Sequence, residues 1–566
     1  MPAATDPASV VLRGGNVLTL DDRGSRATSI AIRGKRIAAV GDDATLAPLI
    51  GPATRIVDLA GRTVIPGFND AHAHMDREGL KLRRLSLAGC RSVADIVGRI
   101  AAAARSKKPG EWVVTMPVGD PPHYFDPLTT LAEGRLPNRQ ELDRAAPDNP
   151  VYIQGVFGNW GKPPGYYALN SRALKLNGLT RDTKPRYTGI EIEKDASGEP
   201  TGIIVETNAR PAVEFDLLRS VPRFTFEDRV EGIVDSMRIY NAVGTTSVYE
   251  GHGVAAPTVG AYRRLWEAGR LTVRTALVLS PTWADFSEAT RACRDWLAYA
   301  RGRGLGDEWL SVSGVHIAWG GSKVLADIAR ADLPNTGWSG FVEQANSPSE
   351  FRDYCFLLAE NDLRLNVIVS DQLHEVMPIL EEVAARYPLA ARRWVIQHVA
   401  RSRPSDLRKL KALGLMVTTI PVYFLWKGGQ WYLKDEDGGD SVVPHRDLLD
   451  LGIPTATATD NIPYDPFFTL WAMTARQERT TQRVIGKRQQ ISNEEALRML
   501  TVAGAHLTFE EHMKGPLRPG NFADLAVLSA DPTAVSPQEL LTIKAALTMV
   551  GGRIVHEAAG APAAPP

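Results

Sequence analysis

Cysteine is nearly absent from this chain of 566 residues, which has only Cys90, Cys293 and Cys355. They are widely spaced and odd in number, which argues against a disulfide framework and predicts buried thiols in a reducing compartment. An excess of charge of either sign is missing too. The 65 basic residues balance the 65 acidic ones, so no net field draws the chain to nucleic acid or to an anionic membrane surface. No uncharged apolar run reaches the length that spans a bilayer. Met1 to Val10 lacks a basic stretch leading into an apolar core, so no secretory leader is expected and a cytoplasmic location is predicted. Apolar and charged fractions of 44% and 23% are those of an ordinary globular protein. The length is too great for one small core and suggests a large domain plus something else.

Short alternating strands and tight turns mark both ends. Residues 29–40 read as two strands around a Gly34–Lys35 turn, and 523–528 and 547–556 repeat that style. Residues 1–63 and 511–556 are therefore expected to build one small discontinuous β-sandwich, with the rest inserted between them. Residues 557–566, mostly Ala, Pro and Gly, are expected to be a disordered tail. Between the ends, apolar runs alternate with segments of helical spacing, the pattern of a parallel sheet. Candidate strands at 64–74, 245–250, 273–279, 313–319, 363–369, 394–398, 415–420 and 455–460 predict an α/β fold, a (β/α)8 TIM barrel over residues 64–510. The gap of roughly 79–242 after the first strand is too long for one crossover and predicts an inserted subdomain over the barrel mouth.

The most informative stretch is His72-Ala73-His74, led in by Val64 and Ile65. Read as a strand end, it sends both imidazoles to one face, which is half of a tetrahedral metal site. Barrel chemistry sits at the carboxyl ends of strands, and further ligand-type residues fall there: His316 on the fourth, His398 on the sixth and Asp460 on the eighth. Asp460 reads equally as a helix N-cap, and His398 as a packed core histidine, when each is taken alone. Glu250 and the glycine-flanked His252 end the second strand. There His252 is placed to polarise a substrate carbonyl, or else is a loop histidine at the surface.

The runs PGFNDAHAH, WVIQHVA, TATATDNIPYDP and KGPLRPGNFADLAVLSADP resemble the amidohydrolase superfamily, and within it the amidohydrolase family 3 branch, over residues 10–556. The resemblance implies a barrel with a flanking sandwich and a divalent metal. Zinc as a single ion is expected, held by His72, His74, His398 and Asp460 with His316 as a further candidate. It also implies hydrolysis of a C–N bond in a small amide-like molecule, with Asp460 taking the proton of water and returning it to the leaving nitrogen; apart from the resemblance, His398, His316 and His252 stand as further catalytic candidates from their places at the strand ends. A homo-oligomer, a dimer in the simplest case, is left open.

Several positions depart from the family pattern. The fourth-strand ligand is typically a lysine, often carboxylated, or a glutamate. His316 stands there instead, and imidazole cannot form a bridging carbamate. The fifth-strand histidine is replaced by Ile368 or a neighbour, a DGH-like motif reads Phe157-Gly-Asn-Trp160, and a seventh-strand histidine appears as Tyr423. Asn159, Trp160, Glu250, Trp319 and Tyr423 are the expected substrate contacts. An aromatic lid of Asn159 and Trp160 with Tyr166 and Tyr167 is an alternative to simple packing. These changes keep two rivals open: deamination, ester hydrolysis or decarboxylation on the same scaffold, and a binding protein without catalysis.

Overall fold

The computed structural model describes residues 6–121, 124, 127–156, 163–208, 212–330 and 340–559. The chain divides into two compact units. One takes the chain up to Met75, Val234–Gly320 and the chain from Asn346, and the other takes Asp76–Ile233 and Gly321–Ala345.

The first unit holds the barrel. Its strands are Phe68–Asp70, Thr245–Val254, Arg274–Leu279, Leu310–His316, Leu365–Ile368, Val395–Gln397, Met416–Thr419 and Thr455–Thr457. They lie side by side in chain order and all run parallel. The eighth strand nearly closes on the first, where the Ala71 N–H reaches the Thr457 carbonyl at 3.4 Å and the Asp460 N–H reaches that of His72 at 3.2 Å. Strands covered on both faces favour continuous apolar runs, and Leu365, Val367, Val395, Ile396, Val417 and Ala456 are all buried.

Helices pack on the outside of this sheet. Pro348–Glu360 is representative: Ser347 and Glu350 form a reciprocal capping box, and proline occupies the first turn. Phe351, Cys355 and Leu358 recur at i, i+4 and i+7 and share one apolar cluster with Val367, Leu380 and Trp394. The Trp394 indole N–H donates to the Leu363 carbonyl at 2.9 Å, so this large buried ring leaves no polar group stranded. All three cysteines are buried and free.

The sandwich belongs to the same unit. One sheet orders Arg36–Gly41, Ser29–Arg33, Val10–Arg13 and Arg55–Asp58, and the other orders Arg553–Glu557, Ala545–Val550, Leu525–Leu528, Thr63–Pro66, Asn16–Leu18 and Arg26–Ala27. Two expected boundaries change. The run 64–74 is not one strand: Thr63–Pro66 pairs with Leu525–Leu528 in the sandwich, and Phe68–Asp70 starts the barrel. Gly67 makes the crossing, because a Cβ there would lie 2.2 Å from the Thr246 Cγ2. At the other end Glu557 closes a strand against Leu547 and so is not part of a tail; 560–566 fall outside the described residues.

The second unit carries a mixed six-stranded sheet, ordered Ile190–Lys194, Pro200–Glu206, Gly165–Leu169, Val151–Ile153, Val113–Val118 and Leu85–Leu87. Tyr167 packs inside it, stacked on Tyr152 with its hydroxyl donating to Glu206 at 2.8 Å. Tyr166 packs against the neighbouring apolar cluster, so both tyrosines serve packing in this sheet. Among the described residues, no helix is long and apolar enough to cross a membrane.

Candidate metal centre

The first barrel strand ends at Asp70, and His72 and His74 follow it in irregular chain. Strand alternation therefore does not orient them; side-chain hydrogen bonds do. The buried Asp70 carboxylate accepts the His72 N–H at 3.2 Å and the Thr459 N–H at 3.1 Å, and it also accepts the Thr459 hydroxyl. Asn461 clamps His74 from both sides, accepting its N–H and donating to its carbonyl, each at 2.9 Å. The Tyr240 hydroxyl donates to the same Asn461 oxygen at 2.6 Å. The ends of the first and eighth strands are thus laced together by side chains.

The other donors sit on left-handed backbone. His398 has φ +55°, Asp460 +50° and Asn461 +57°, a region that non-glycine residues rarely occupy and that clusters at functional sites. The turn after the sixth strand brings the His398 ring to 4.3 Å from that of His72, centroid to centroid. The His72 and His74 rings are 5.4 Å apart. Asp460 Oδ1 lies 3.0 Å from His74 Nε2 and 3.9 Å from His72 Nε2. Ligand atoms of His72, His398 and Asp460 fall within 4.8 Å of one another, and so do those of His72, His74 and His252.

Burial sets the charge states. It pushes the His398 imidazole down to about 4, against the pull of the Asp460 carboxylate. Burial and then the neighbouring His398 hold His72 well below its ordinary value. Burial opposes the charge of Asp460, yet the His74 hydrogen bond and the nearby His398, His74 and His72 rings hold its carboxyl well below the usual range. Burial pushes Asp70 up to about 6. The centre therefore combines neutral imidazoles at His72 and His398, whose lone pairs are available to a cation, with one ionised carboxylate. Both ring nitrogens of His72 and Nε2 of His398 are buried without a hydrogen-bond partner. Buried polar atoms without partners are costly, and a cation at this point would satisfy them, so the residues present fit a metal.

The remaining sequence-predicted residues divide. His252, half-buried at the end of the second strand, joins the cluster, 5.8 Å from the His74 ring and 4.8 Å from that of His316. Glu250, two residues earlier, is buried and accepts the Tyr262 hydroxyl at 2.7 Å. Tyr423 lies in a helical turn, edge-on to Phe424 at 4.8 Å. Burial, then the charges of Asp460 and Asp371, push its hydroxyl up to about 12. Trp319 stands beyond the fourth strand with its ring edge-on to Phe351 at 5.3 Å. Asn159 and Trp160 fall outside the described residues. Asp460 caps no helix; Asp465 caps the one that follows.

Sequence reasoning missed Asp70, Asn461, Tyr240, Asn366 and Gln397. The fifth strand presents Asn366, which accepts the Tyr249 hydroxyl at 2.6 Å inside the barrel. Gln397 donates to the Gly251 carbonyl at 2.8 Å. Asp70 and Asn461 each stand close in sequence to a candidate ligand and carried a signal in that adjacency, whereas Tyr240, Asn366 and Gln397 carried none.

Side chains of this kind gathered at the carboxyl ends of parallel strands form a candidate metal site where barrel enzymes place their chemistry. The amidohydrolase family model matches residues 55–556, and the chain belongs to that family. It is 27% identical to the N-substituted formamide deformylase of Arthrobacter pascens, over 98% of this chain and 100% of that protein. Identity to the putative amidohydrolase YtcJ of Bacillus subtilis is 23%, over 97% and 99%. The crystal structure of an uncharacterized metal-dependent hydrolase from Pyrococcus furiosus shares the fold, with a TM-score of 0.66 and 21% identity over 93% of this chain and 99% of that one.

Proposed function

We propose that this protein hydrolyses a carbon–nitrogen bond of a small amide-like molecule, with His72, His74, His398 and Asp460 holding a divalent cation. The observation that carries this reading is the convergence of those four side chains, with the buried ring nitrogens of His72 and of His398 lacking partners. The nitrogen-rich donor set favours zinc. The deformylase named above acts, by its name, on a formamide C–N bond, which supports the same bond class here.

When bound, a divalent cation acidifies water toward neutral pH and polarises a carbonyl oxygen. The chain supplies the remaining steps. Asp460 stands ionised beside His74, so it accepts the proton of the attacking water and delivers it to the departing nitrogen. Tyr423 keeps its proton at neutral pH and offers a hydroxyl donor to the oxyanion formed on attack. Asn461 and Asp70 hold the backbone that carries His74 and His72.

The test is a zinc titration of the chelator-stripped protein, followed by a screen of amides, amidines, esters and carboxylic acids in 18O-water. Zinc binding that is lost in His72→Ala, with amide turnover and 18O in the acid product, is expected. Absence of zinc binding, or carbon dioxide release without 18O uptake, overturns the reading.

A further inference from the structure

The interior of this barrel is not uniformly apolar. Such interiors are usually filled by layers of branched apolar side chains, and Ala276, Val395, Met416 and Ala456 share one apolar cluster with the Tyr249 ring. Yet Tyr249, Asn366 and Gln397, from the second, fifth and sixth strands, bring polar groups into the same buried space. Buried polar groups are costly unless paired, and these pair with one another. The Tyr249 hydroxyl donates to Asn366 Oδ1 at 2.6 Å. Gln397 Nε2 reaches the same oxygen at 3.4 Å and donates to the Gly251 carbonyl at 2.8 Å. This line of bonds ends against His72. A Cβ on Gly251 would lie 2.6 Å from both His72 Nδ1 and Gln397 Nε2, so the imidazole edge and the carboxamide flank one glycine. The other ring nitrogen, Nε2, is the one 3.9 Å from Asp460 Oδ1. The second strand also steadies the backbone here, where the Ala73 N–H donates to the Tyr249 carbonyl at 2.8 Å.

We propose that Gln397 is a positioning residue for His72. With Asn366 and Tyr249 it forms a brace inside the barrel that holds the Gly251 backbone against the imidazole, sets the angle of the ring and leaves Nε2 aimed at the cation. This assignment rests on His72 being a ligand of that cation. A ring that gives Nε2 to a metal keeps its proton on Nδ1, and both His72 Nδ1 and Gln397 Oε1 are buried without a hydrogen-bond partner, a donor and an acceptor on the two sides of Gly251. Groups behind a metal-binding imidazole fix its orientation, and changing one costs about 10–100-fold in metal affinity. The fifth strand, Leu365–Ile368, presents no histidine; its contribution to the centre is Asn366, acting through Gln397.

Zinc affinity of the chelator-stripped full-length protein is measured by competition with a chromophoric chelator. The cobalt(II) form is read by its visible absorption, which reports the geometry around the ion. Gln397→Met keeps the volume and removes the bonds, so zinc affinity is expected to fall at least about tenfold and the cobalt spectrum to shift. Tyr249→Phe removes one hydroxyl from the far end of the brace. It is expected to lower zinc affinity at least about threefold, and it decides the matter should Gln397→Met not fold. Thr418→Val is the control: this buried hydroxyl on the seventh strand takes no part in the brace, and both readouts are expected to stay as in the wild type. Unchanged affinity and spectrum in Gln397→Met, or equal losses in Thr418→Val, overturn the brace and spare the metal site. No zinc bound by the wild type overturns the metal site and the brace with it.

Discussion

Gly251 shows how closely the centre is packed. A Cβ at this position would lie 2.6 Å from His72 Nδ1 and 2.6 Å from Gln397 Nε2, closer than side-chain atoms approach without displacement. Gln397 already holds the carbonyl of this residue, so the backbone cannot retreat and the His72 ring must move. Gly251→Ala is expected to lower zinc affinity by at least about tenfold while the protein stays folded. Zinc titration beside a circular dichroism melt checks both halves, and unchanged affinity counts against this account. The candidate ligands themselves were legible because their type and order are distinctive. Gly251, Asn461 and Tyr240 were not, because their roles depend on which neighbour the fold presses against them.

At the scale of elements, the sandwich and the barrel share a buried ion pair. Arg274, opening the third barrel strand, donates to Asp524 through Nε at 2.7 Å and through Nη2 at 3.1 Å, and both side chains are buried. Its guanidinium lies over the rings of Phe522 and Trp309, and Asp524 also accepts the Gly551 N–H at 2.7 Å. This gives a physical reason for the aspartate in the Ala523-Asp524-Leu525 motif. Removing one partner strands a buried charge, so Asp524→Ala is expected to destabilise the protein by about 3–5 kcal/mol, and Asp524→Leu with Arg274→Met by less. Thermal unfolding of both variants tests this; equal losses would mean the pair is not the cause. The eight strands were readable because strands buried on both faces are written as short apolar runs. The split at Gly67 was not, since apolar residues continue through it and only partner choice separates sandwich from barrel.

Across the whole molecule, the buried centre links stability to pH. An unfolded histidine titrates near 6.5, whereas His398 in the fold is held at about 4. Between those values only the unfolded chain takes up the proton, so stability falls as pH drops from 6.5 to 4, by about 3 kcal/mol for this group. His72 acts in the same direction. Asp70, pushed up to about 6, works oppositely, because over its interval the folded chain holds the proton. Metal-free protein is therefore expected to lose melting temperature as pH falls through this window, and His398→Gln to flatten the loss. A melting series from pH 7 to 4.5 decides it, and identical slopes in the two proteins would reject the assignment.

The order of residues alone settled the barrel with its discontinuous sandwich, and it singled out His72, His74, His398 and Asp460, because apolar periodicity and ligand-type residues are local properties. Tertiary structure decided how those side chains are aimed. Asp70 and Asn461 reach across from the first strand to the eighth, His398 and Asp460 turn on left-handed backbone, and the His252 ring meets that of His316 from a different strand. Such contacts join positions remote in sequence, and only the closing of the sheet brings them within bonding distance.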